Sequence, residues 1–129
     1  MEKTVVIAGG GWGGCAAACS ARRAGARAVL LERTDMLLGT GLVGGIMQNN
    51  GRLAAALEME ALGAGEFFAL TDRCARHRNI SFPGHAHATL YDVGLVPGET
   101  LRHLRSLGVE VVFQARVSGV EREGDCLQA

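Results

Sequence analysis

Short apolar runs alternate with glycine-rich and alanine-rich segments at the start of the chain. The β-branched run at residues 4–7, TVVI, is typical of a parallel strand that is buried on both faces. A second apolar run at residues 28–31, AVLL, ends at Glu32. Gly25 lies where a helix between the two runs would end, in a position that tolerates positive φ. The pattern predicts strand, glycine turn, helix and strand over residues 4–32.

Three more helices are predicted farther along the chain. Their ranges are 53–62, 66–78 and 99–107. The first consists of strong helix formers and ends before Gly63. The second places Phe67, Leu70 and Cys74 on one apolar face. Pro97 lies near the start of the third, where its fixed φ suits a first helical turn.

The remaining segments predict strands. Residues 79–92 lack clear periodicity, and we expect irregular structure or short strand pieces. Residues 109–113 follow a helix and a glycine, which predicts a third strand parallel to the first two. A turn at residues 123–125 predicts a hairpin whose second arm is residues 126–129. The fold class is therefore α/β with a Rossmann-like parallel sheet, and we expect it to be incomplete because its sheet edges lack partners.

Three glycines in the first turn have the G-x-G-x-x-G spacing of dinucleotide-binding proteins. Gly9 would allow the sharp turn, Gly11 the close approach of backbone to a pyrophosphate, and Gly14 the packing of helix on strand. Glu32 follows the second strand, about 20 residues beyond the turn, where a carboxylate accepts hydrogen bonds from ribose hydroxyls. An acid there argues against NADP. The alternative is a βαβ unit that binds nothing, but fingerprint and structural context coincide.

A glycine-punctuated segment, residues 33–51, follows Glu32 and is too long to be only a connector. It is either a flexible surface loop or a buried segment that lines a ligand. Its apolar content favours the second interpretation, and the residues concerned are Leu37, Leu38, Leu42, Val43, Ile46 and Met47.

Composition narrows the classes of partner. The chain has 129 residues, enough for one domain, with 13 basic and 13 acidic residues. A net charge of zero without a basic stripe argues against nucleic acid. No segment has the apolar length of a membrane span, so no membrane partner is expected. The 4 cysteines show neither C-x-x-C spacing nor the density of a secreted disulfide scaffold, which predicts a cytoplasmic protein.

Taken together, these residues resemble the flavin-dependent oxidoreductases with the glutathione-reductase-like arrangement of two dinucleotide-binding domains. The matching motif is Gly9, Gly11, Gly14, Ala18, Gly25 and Glu32. The resemblance implies an FAD cofactor, with its pyrophosphate at the glycines and its adenosine ribose at Glu32. It also implies that residues 38–44 pass near the flavin, and that residues 108–123 form the third strand and the start of the β-meander, with Val117 near the adenine.

The cofactor-binding residues expected on this basis are Gly9, Gly11, Trp12, Gly13, Gly14, Glu32, Arg33, Gly39, Thr40, Gly41, Leu42, Val43 and Val117. The redox C-x-x-x-x-C of the disulfide reductases is absent after Glu32, so the resemblance does not imply thiol–disulfide exchange. The family's later Ala-Thr-Gly strand, its substrate domain and its last FAD-contacting segment would lie beyond Ala129. Residues 1–129 are therefore expected to form the N-terminal part of an FAD-binding domain, and the catalytic residues remain unassigned.

Three interpretations of function stay open. The first is the FAD-binding portion of an oxidoreductase, which holds the ADP moiety and acts on a small-molecule substrate. The second is a non-catalytic fragment or subunit that needs a partner chain or a second copy. The third is an NAD-dependent Rossmann dehydrogenase, which Glu32 also permits. The long glycine segment and the late hairpin favour FAD over NAD.

Histidines and cysteines supply weaker signals. His85 and His87, with His77 and Cys74, have some of the residue types of a metal site, but no second pair is spaced to complete a tetrahedron, and we expect no metal. Cys15 follows the glycine turn at a helix N-terminus, where a thiol pKa can be lowered. The alternative for Cys15 is a small packing residue.

Overall fold

The computed structural model describes residues 3–39, 42, 48–49, 60–124 and 126–128. The α-helices in the described residues are α1 (Trp12–Arg23), α2 (Gly65–Arg73) and α3 (Val96–Ser106), and a short π-helix, Glu60–Ala64, precedes α2. The strands are β1 (Thr4–Ala8), β2 (Arg27–Leu31), β3 (Gln48–Asn49), β4 (Ala75–Phe82), β5 (His85–Tyr91), β6 (Glu110–Val112), β7 (Glu121–Glu123) and β8 (Cys126–Gln128). None of the described helices is both long enough and apolar enough to cross a bilayer.

The parallel sheet has the order β1-β2-β6, and its third strand is parallel to the first two, as the sequence predicts. Val6 lies opposite Val29, and Leu30 lies opposite Val111. Helix α1 packs against one face of this sheet, where Ala18 and Leu30 are fully buried. The alanines and cysteines of α1 are small enough to let its backbone approach the strands closely, which explains why this helix carries them.

A second, antiparallel sheet has the order β3-β5-β4 and lies beside the glycine turn. The indole of Trp12, at the start of α1, packs against both α2 and the antiparallel sheet. Its ring centroid lies 5.8 Å from that of Phe67 on α2 and 5.1 Å from that of Tyr91 on β5. Phe67 and Tyr91 are both buried. Tilted aromatic pairs at these distances stabilise packing beyond the area that they bury.

The structure corrects one sequence prediction in this region. The helix predicted over 66–78 ends at Arg73, and residues 75–82 form β4. For residues 79–92, the structure agrees with the strand alternative, because β4 and β5 pair as a hairpin around a turn at residues 83–84, with shifts of register along the pairing. The apolar face of the helix is nevertheless as predicted, since Phe67, Leu70 and Cys74 are all buried. Pairing with β5 outweighs the helical propensity of the arginine-rich segment.

The remaining predictions concern two helices and the C-terminal hairpin. Residues 53–59 lie outside the described part of the chain, and the backbone breaks from helical geometry at Gly63, where φ is 90°. Helix α3 begins at Val96, with Pro97 in its first turn. The carboxylate of Asp92 accepts hydrogen bonds from the backbone N–H groups of Gly94 and Leu95 before this helix. Strands β7 and β8 form the predicted hairpin.

Within the described residues, one face and both edges of the parallel sheet are open. Among the described strands, β1 and β6 each pair only with β2. Val5 is 40% exposed, Val6 52% and Val112 36%. Side chains alternate between the faces along a strand, so Val6 and Val112 share one face and Val5 lies on the other. Strands of parallel sheets are normally covered on both faces, so Val6 and Val112 mark a surface that lacks its usual cover in the described part of the chain.

Candidate dinucleotide site

The candidate site lies at the carboxyl ends of β1 and β2, just outside the strands. A pocket of about 160 Å³ opens there, and its lining residues are Ala8, Gly9, Leu31, Arg33, Ala115, Arg116 and Val117. In open parallel sheets, ligands bind at this edge. The pocket is smaller than the roughly 300 Å³ at which sites for drug-sized ligands begin, so it suits one end of an extended ligand.

The three fingerprint glycines differ in what surrounds them. Gly9 has φ of 105°, a conformation that other residues rarely adopt. A Cβ on Gly14 would lie 1.9 Å from the carbonyl oxygen of Gly9, so only glycine allows α1 to begin this close to the turn. A Cβ on Gly11 would meet nothing within 4 Å. The geometry therefore needs Gly9 and Gly14 in the free protein and leaves open space beside Gly11.

The N-terminus of α1 faces that open space without a cap from the protein. Gly11 is the N-cap residue and makes no side-chain cap, and the first turn contains no acidic residue. A Cβ on Gly13 would also meet nothing within 4 Å. The first N–H groups of a helix and its dipole attract anions, so this end of α1 can accept a phosphate group.

Glu32 is directed inward and holds the site together. It is only 5% exposed. Its Oε2 accepts a hydrogen bond of 2.7 Å from the N–H of Gly10. Its Oε1 accepts hydrogen bonds from the N–H of Thr34 at 2.8 Å and from the hydroxyl of Thr34 at 2.9 Å. The carboxylate thereby ties the glycine turn to the segment that follows β2.

The charge of Glu32 is stabilised by these contacts. Burial by itself raises the pKa of the Glu32 carboxyl, but the hydrogen bonds from Thr34 and Gly10, together with the nearby Arg33, lower it more. The net effect is a pKa below the usual range of a glutamate. Glu32 is therefore ionised at neutral pH and can act only as an acceptor.

The segment after Glu32 folds back over the glycine turn. The N–H of Leu38 donates a 2.7 Å hydrogen bond to the carbonyl of Gly10, and the side chain of Leu37 occupies the space where a Cβ of Gly10 would lie. Leu37 and Leu38 are buried, as is Leu42. This agrees with the prediction of a buried segment for the part that the structure describes.

The opposite wall of the pocket is the chain after β6. The N–H of Gln114 donates to the carbonyl of Thr34 at 3.1 Å, and the N–H of Ala115 donates to the carbonyl of Glu32 at 3.0 Å. These two bonds fix the position of residues 115–117. Arg116 and the predicted Val117 then face the same pocket as Arg33.

The structure brings together several of the residues expected to bind the cofactor. Gly9, Arg33 and Val117 line the pocket. The N-terminus of α1 contains Trp12 and Gly13, while Gly39 lies near Gly11, with its Cβ position 3.7 Å from the Cα of Gly11. Thr40, Gly41 and Val43 lie outside the described residues.

Sequence reasoning missed six residues at the site. They are Ala8, Gly10, Leu31, Thr34, Ala115 and Arg116. Thr34 follows Glu32 by two residues, so local side-chain hydrogen bonding to an acid could have indicated it. Ala115 and Arg116 carry no such signal, because only the tertiary fold brings them to the strand ends.

The hypothesis of a reactive Cys15 is wrong. Burial raises the pKa of the Cys15 thiol to about 12, and the Sγ donates to the carbonyl of Gly10 at 3.3 Å. Burial likewise raises the pKa of Cys19 to about 11. Both side chains are almost fully buried and serve as small packing residues. Within the described residues, no group of histidine, cysteine and acidic side chains is arranged to hold a metal ion.

Comparison with known proteins identifies the family of the chain. Residues 4–129 match the family described as FAD dependent oxidoreductase. No protein of curated function matches the sequence. Among solved structures, the Diels-Alderase PyrE3 of pyrroindomycin biosynthesis shares 26% identity with a TM-score of 0.65, and the match covers 98% of this chain and 28% of that one.

Two further solved structures share the fold at lower identity. The p-nitrophenol 4-monooxygenase PnpA from Pseudomonas putida DLL-E4 has 20% identity and a TM-score of 0.64, covering 98% of this chain and 35% of that one. THI4 from Thermovibrio ammonificans has 17% identity and a TM-score of 0.58, covering 98% and 45%. The chain therefore spans less than half the length of each of these three proteins.

Proposed function

This chain belongs to the FAD dependent oxidoreductase family, and we propose that its described site holds the ADP moiety of FAD. The observation that carries the proposal is the combination of an uncapped helix start with open space at Gly11 and a pocket at the strand ends. A diphosphate and an adenosine are joined covalently in FAD, and these two features lie side by side in the protein.

The pyrophosphate would lie at the start of α1. Gly11 provides open backbone there, and the N–H groups of the first helical turn have no cap from a side chain. The helix dipole adds attraction for a negative group. No acidic side chain of the first turn opposes that charge.

The adenosine would lie in the pocket beyond Glu32. The ionised Glu32 can accept a hydrogen bond from a ribose hydroxyl. Val117 and Ala115 supply apolar surface for a purine, and Arg33 and Arg116 line the same pocket. Planar guanidinium groups stack on aromatic rings, so both arginines suit an adenine.

FAD when bound would supply the electron transfer of an oxidoreductase, while the described residues bind and orient it. We propose that the whole protein oxidises or reduces a small-molecule substrate in the cytoplasm. The buried free cysteines Cys15, Cys19 and Cys74 suit a reducing compartment. FAD is favoured over NAD because the family match covers nearly the whole chain.

The test is binding of FAD to the purified chain, with Gly11→Ala as the informative variant. We expect FAD to raise the unfolding temperature of the wild-type chain and to remain bound through gel filtration. Alanine fits at position 11 in the free protein, so the free energy of unfolding should change by less than about 1 kcal/mol. The new methyl group would obstruct the pyrophosphate, and FAD affinity should fall by about 10-fold or more.

Gly98→Ala provides the matched control. Gly98 lies on α3, away from the pocket, and its added Cβ would meet only the far end of Arg102 at 3.9 Å. This variant should bind FAD like the wild type. A wild-type chain that is stabilised by NAD but not by FAD would contradict the proposal, as would unchanged FAD affinity in Gly11→Ala.

The open sheet favours a second candidate function, in which the chain associates with a polypeptide that completes the sheet. The exposed apolar side chains of Val6 and Val112 lie on one face, and the edge of β1 has no strand partner in the described part of the chain. Unpaired edges and apolar faces of this kind are surfaces for association.

For this second function we expect the isolated chain to associate with itself at micromolar concentrations, as measured by sedimentation velocity. Val6→Lys should weaken that association, because a charge on the open face opposes burial. Val6 is exposed, so the substitution should leave the fold intact. A monomer that unfolds cooperatively at every concentration would contradict this function and leave the FAD site unaffected.

A further inference from the structure

The hydroxyl group of Thr34 has two acceptors for its single proton. Its Oγ1 lies 2.9 Å from Oε1 of Glu32 and also 2.9 Å from the carbonyl oxygen of Met36. A threonine hydroxyl donates one hydrogen bond at a time. The hydroxyl group can therefore redirect its hydrogen bond from one acceptor to the other with little movement of the side chain.

Glu32 has limited capacity for further hydrogen bonds. An ionised carboxylate has about four acceptor positions. Three of them are filled by the N–H of Gly10, the N–H of Thr34 and the hydroxyl of Thr34. One position on Oε2 remains. A ribose, however, presents two neighbouring hydroxyl groups, at its 2′ and 3′ positions.

Only one of the three protein donors can break its hydrogen bond to Glu32 at a small cost in free energy. The N–H of Gly10 belongs to a buried residue, and that of Thr34 is fixed by the backbone. A buried backbone N–H that loses its acceptor destabilises the folded protein, because no other group replaces the hydrogen bond. The hydroxyl of Thr34 differs, because the carbonyl of Met36 is already within hydrogen-bond distance.

We infer that Thr34 is a positioning residue that adapts Glu32 to the ribose: its hydroxyl donates to Glu32 in the free protein and to the carbonyl of Met36 when both ribose hydroxyls bind. This inference rests on the proposed binding of the ADP moiety. The N–H of Thr34 keeps Glu32 in place in both states, and its carbonyl holds Gln114 at the opposite wall.

This exchange of hydrogen-bond acceptors predicts how strongly the wild type and the Thr34→Val variant distinguish ADP from an analogue with one ribose hydroxyl. A single hydroxyl can use the open position on Oε2 in either protein. In the wild type, the second hydroxyl must replace the bond from Thr34 to a charged acceptor, so it adds little affinity. In Thr34→Val that position is already vacant, and the second hydroxyl adds the full effect of a bond to a carboxylate.

The experiment measures dissociation constants of ADP, 2′-deoxy-ADP and 3′-deoxy-ADP by calorimetry on the full chain. We expect the preference for ADP over either analogue to be about fivefold larger in Thr34→Val than in the wild type, as follows from hydrogen bonds to charged and neutral acceptors. Thr34→Ser keeps the hydroxyl and should retain the wild-type preference. Thr34→Ala removes it and should behave like Thr34→Val, which covers the case in which valine prevents folding.

Thr71→Val is the matched control, because the Thr71 hydroxyl donates to the carbonyl of Phe68 at 2.9 Å on α2, outside the pocket. It should leave the preference unchanged. An equal preference in the wild type, Thr34→Val and Thr34→Ala would overturn the role of Thr34 while ADP binding stands. Failure of the wild type to bind ADP at all would instead overturn the proposed function, and the inference with it.

Discussion

Replacing Gly14 by alanine should unfold or severely destabilise the protein and abolish FAD binding. The added Cβ would lie 1.9 Å from the carbonyl oxygen and 3.0 Å from the carbonyl carbon of Gly9, and 3.3 Å from the side chain of Ile7. Backbone atoms cannot avoid this clash by changing a rotamer. We expect a loss of about 3 kcal/mol or more in the free energy of unfolding, measured by urea denaturation.

Gly13→Ala is the control for this prediction, since it makes the same change one residue earlier in α1. Its Cβ would meet nothing within 4 Å. Alanine is the better helix former, so the free energy of unfolding should rise by about 0.5–1 kcal/mol. Equal destabilisation by both variants would show that close packing at Gly14 does not distinguish the two positions.

Glu32→Gln should weaken both the fold and the site. One of its two side-chain oxygens becomes an NH₂ group, so either the N–H of Gly10 or the donors of Thr34 would face another donor. The loss of a bond to a charged group from a buried N–H is expected to cost about 2–3 kcal/mol of stability. Loss of the ribose acceptor should lower FAD affinity by about 10- to 100-fold.

The effect of Glu32→Gln should depend on pH. The pKa of Glu32 in the folded protein lies below its usual value, so its stabilising effect is fully present above the unfolded pKa of about 4.3. That effect is lost as the pH falls through the folded pKa. The difference in unfolding free energy between the wild type and Glu32→Gln should therefore shrink between neutral pH and the acid range.

Glu110→Gln provides the matched substitution on the surface. Glu110 forms an ion pair with Arg27 at 2.8 Å, and both side chains are about half exposed. Exposed pairs contribute roughly 0–1 kcal/mol, so this variant should retain near wild-type stability and FAD affinity. A difference between the wild type and Glu32→Gln that stays constant with pH would contradict the role assigned to the Glu32 carboxylate.

Local sequence patterns were sufficient to predict the structure of residues 4–32. The apolar runs of β1 and β2, the glycine spacing and Gly25 each act within a few residues, and the structure has the predicted strand, turn, helix and strand there. The parallel orientation of β6 was predicted from its position after a helix and a glycine. Membership of the FAD dependent oxidoreductase family confirms the resemblance that these residues carry.

Segments whose structure depends on distant partners were predicted less well. Residues 75–78 continue a helical pattern in sequence, yet they form part of β4 because Ala75 and His77 pair with Tyr91 and Leu90 of β5. Cys15 lies at a helix start, which by itself would lower its pKa, but the core around it raises that pKa to about 12. Burial is a property of the assembled fold, and the local sequence does not contain it.

The sequence by itself predicted the strand, glycine turn, helix and strand and marked Gly9, Gly11, Gly14 and Glu32 as a candidate dinucleotide site, because turn geometry and spacing depend on neighbouring residues. Only the tertiary structure decided how that site is completed. It turned Glu32 inward onto Gly10 and Thr34, and it brought Arg116 and Val117 to the pocket from more than 80 positions away. Hydrogen bonds and walls of this kind depend on which chain segments meet in space, so they appear only once the sheet has assembled.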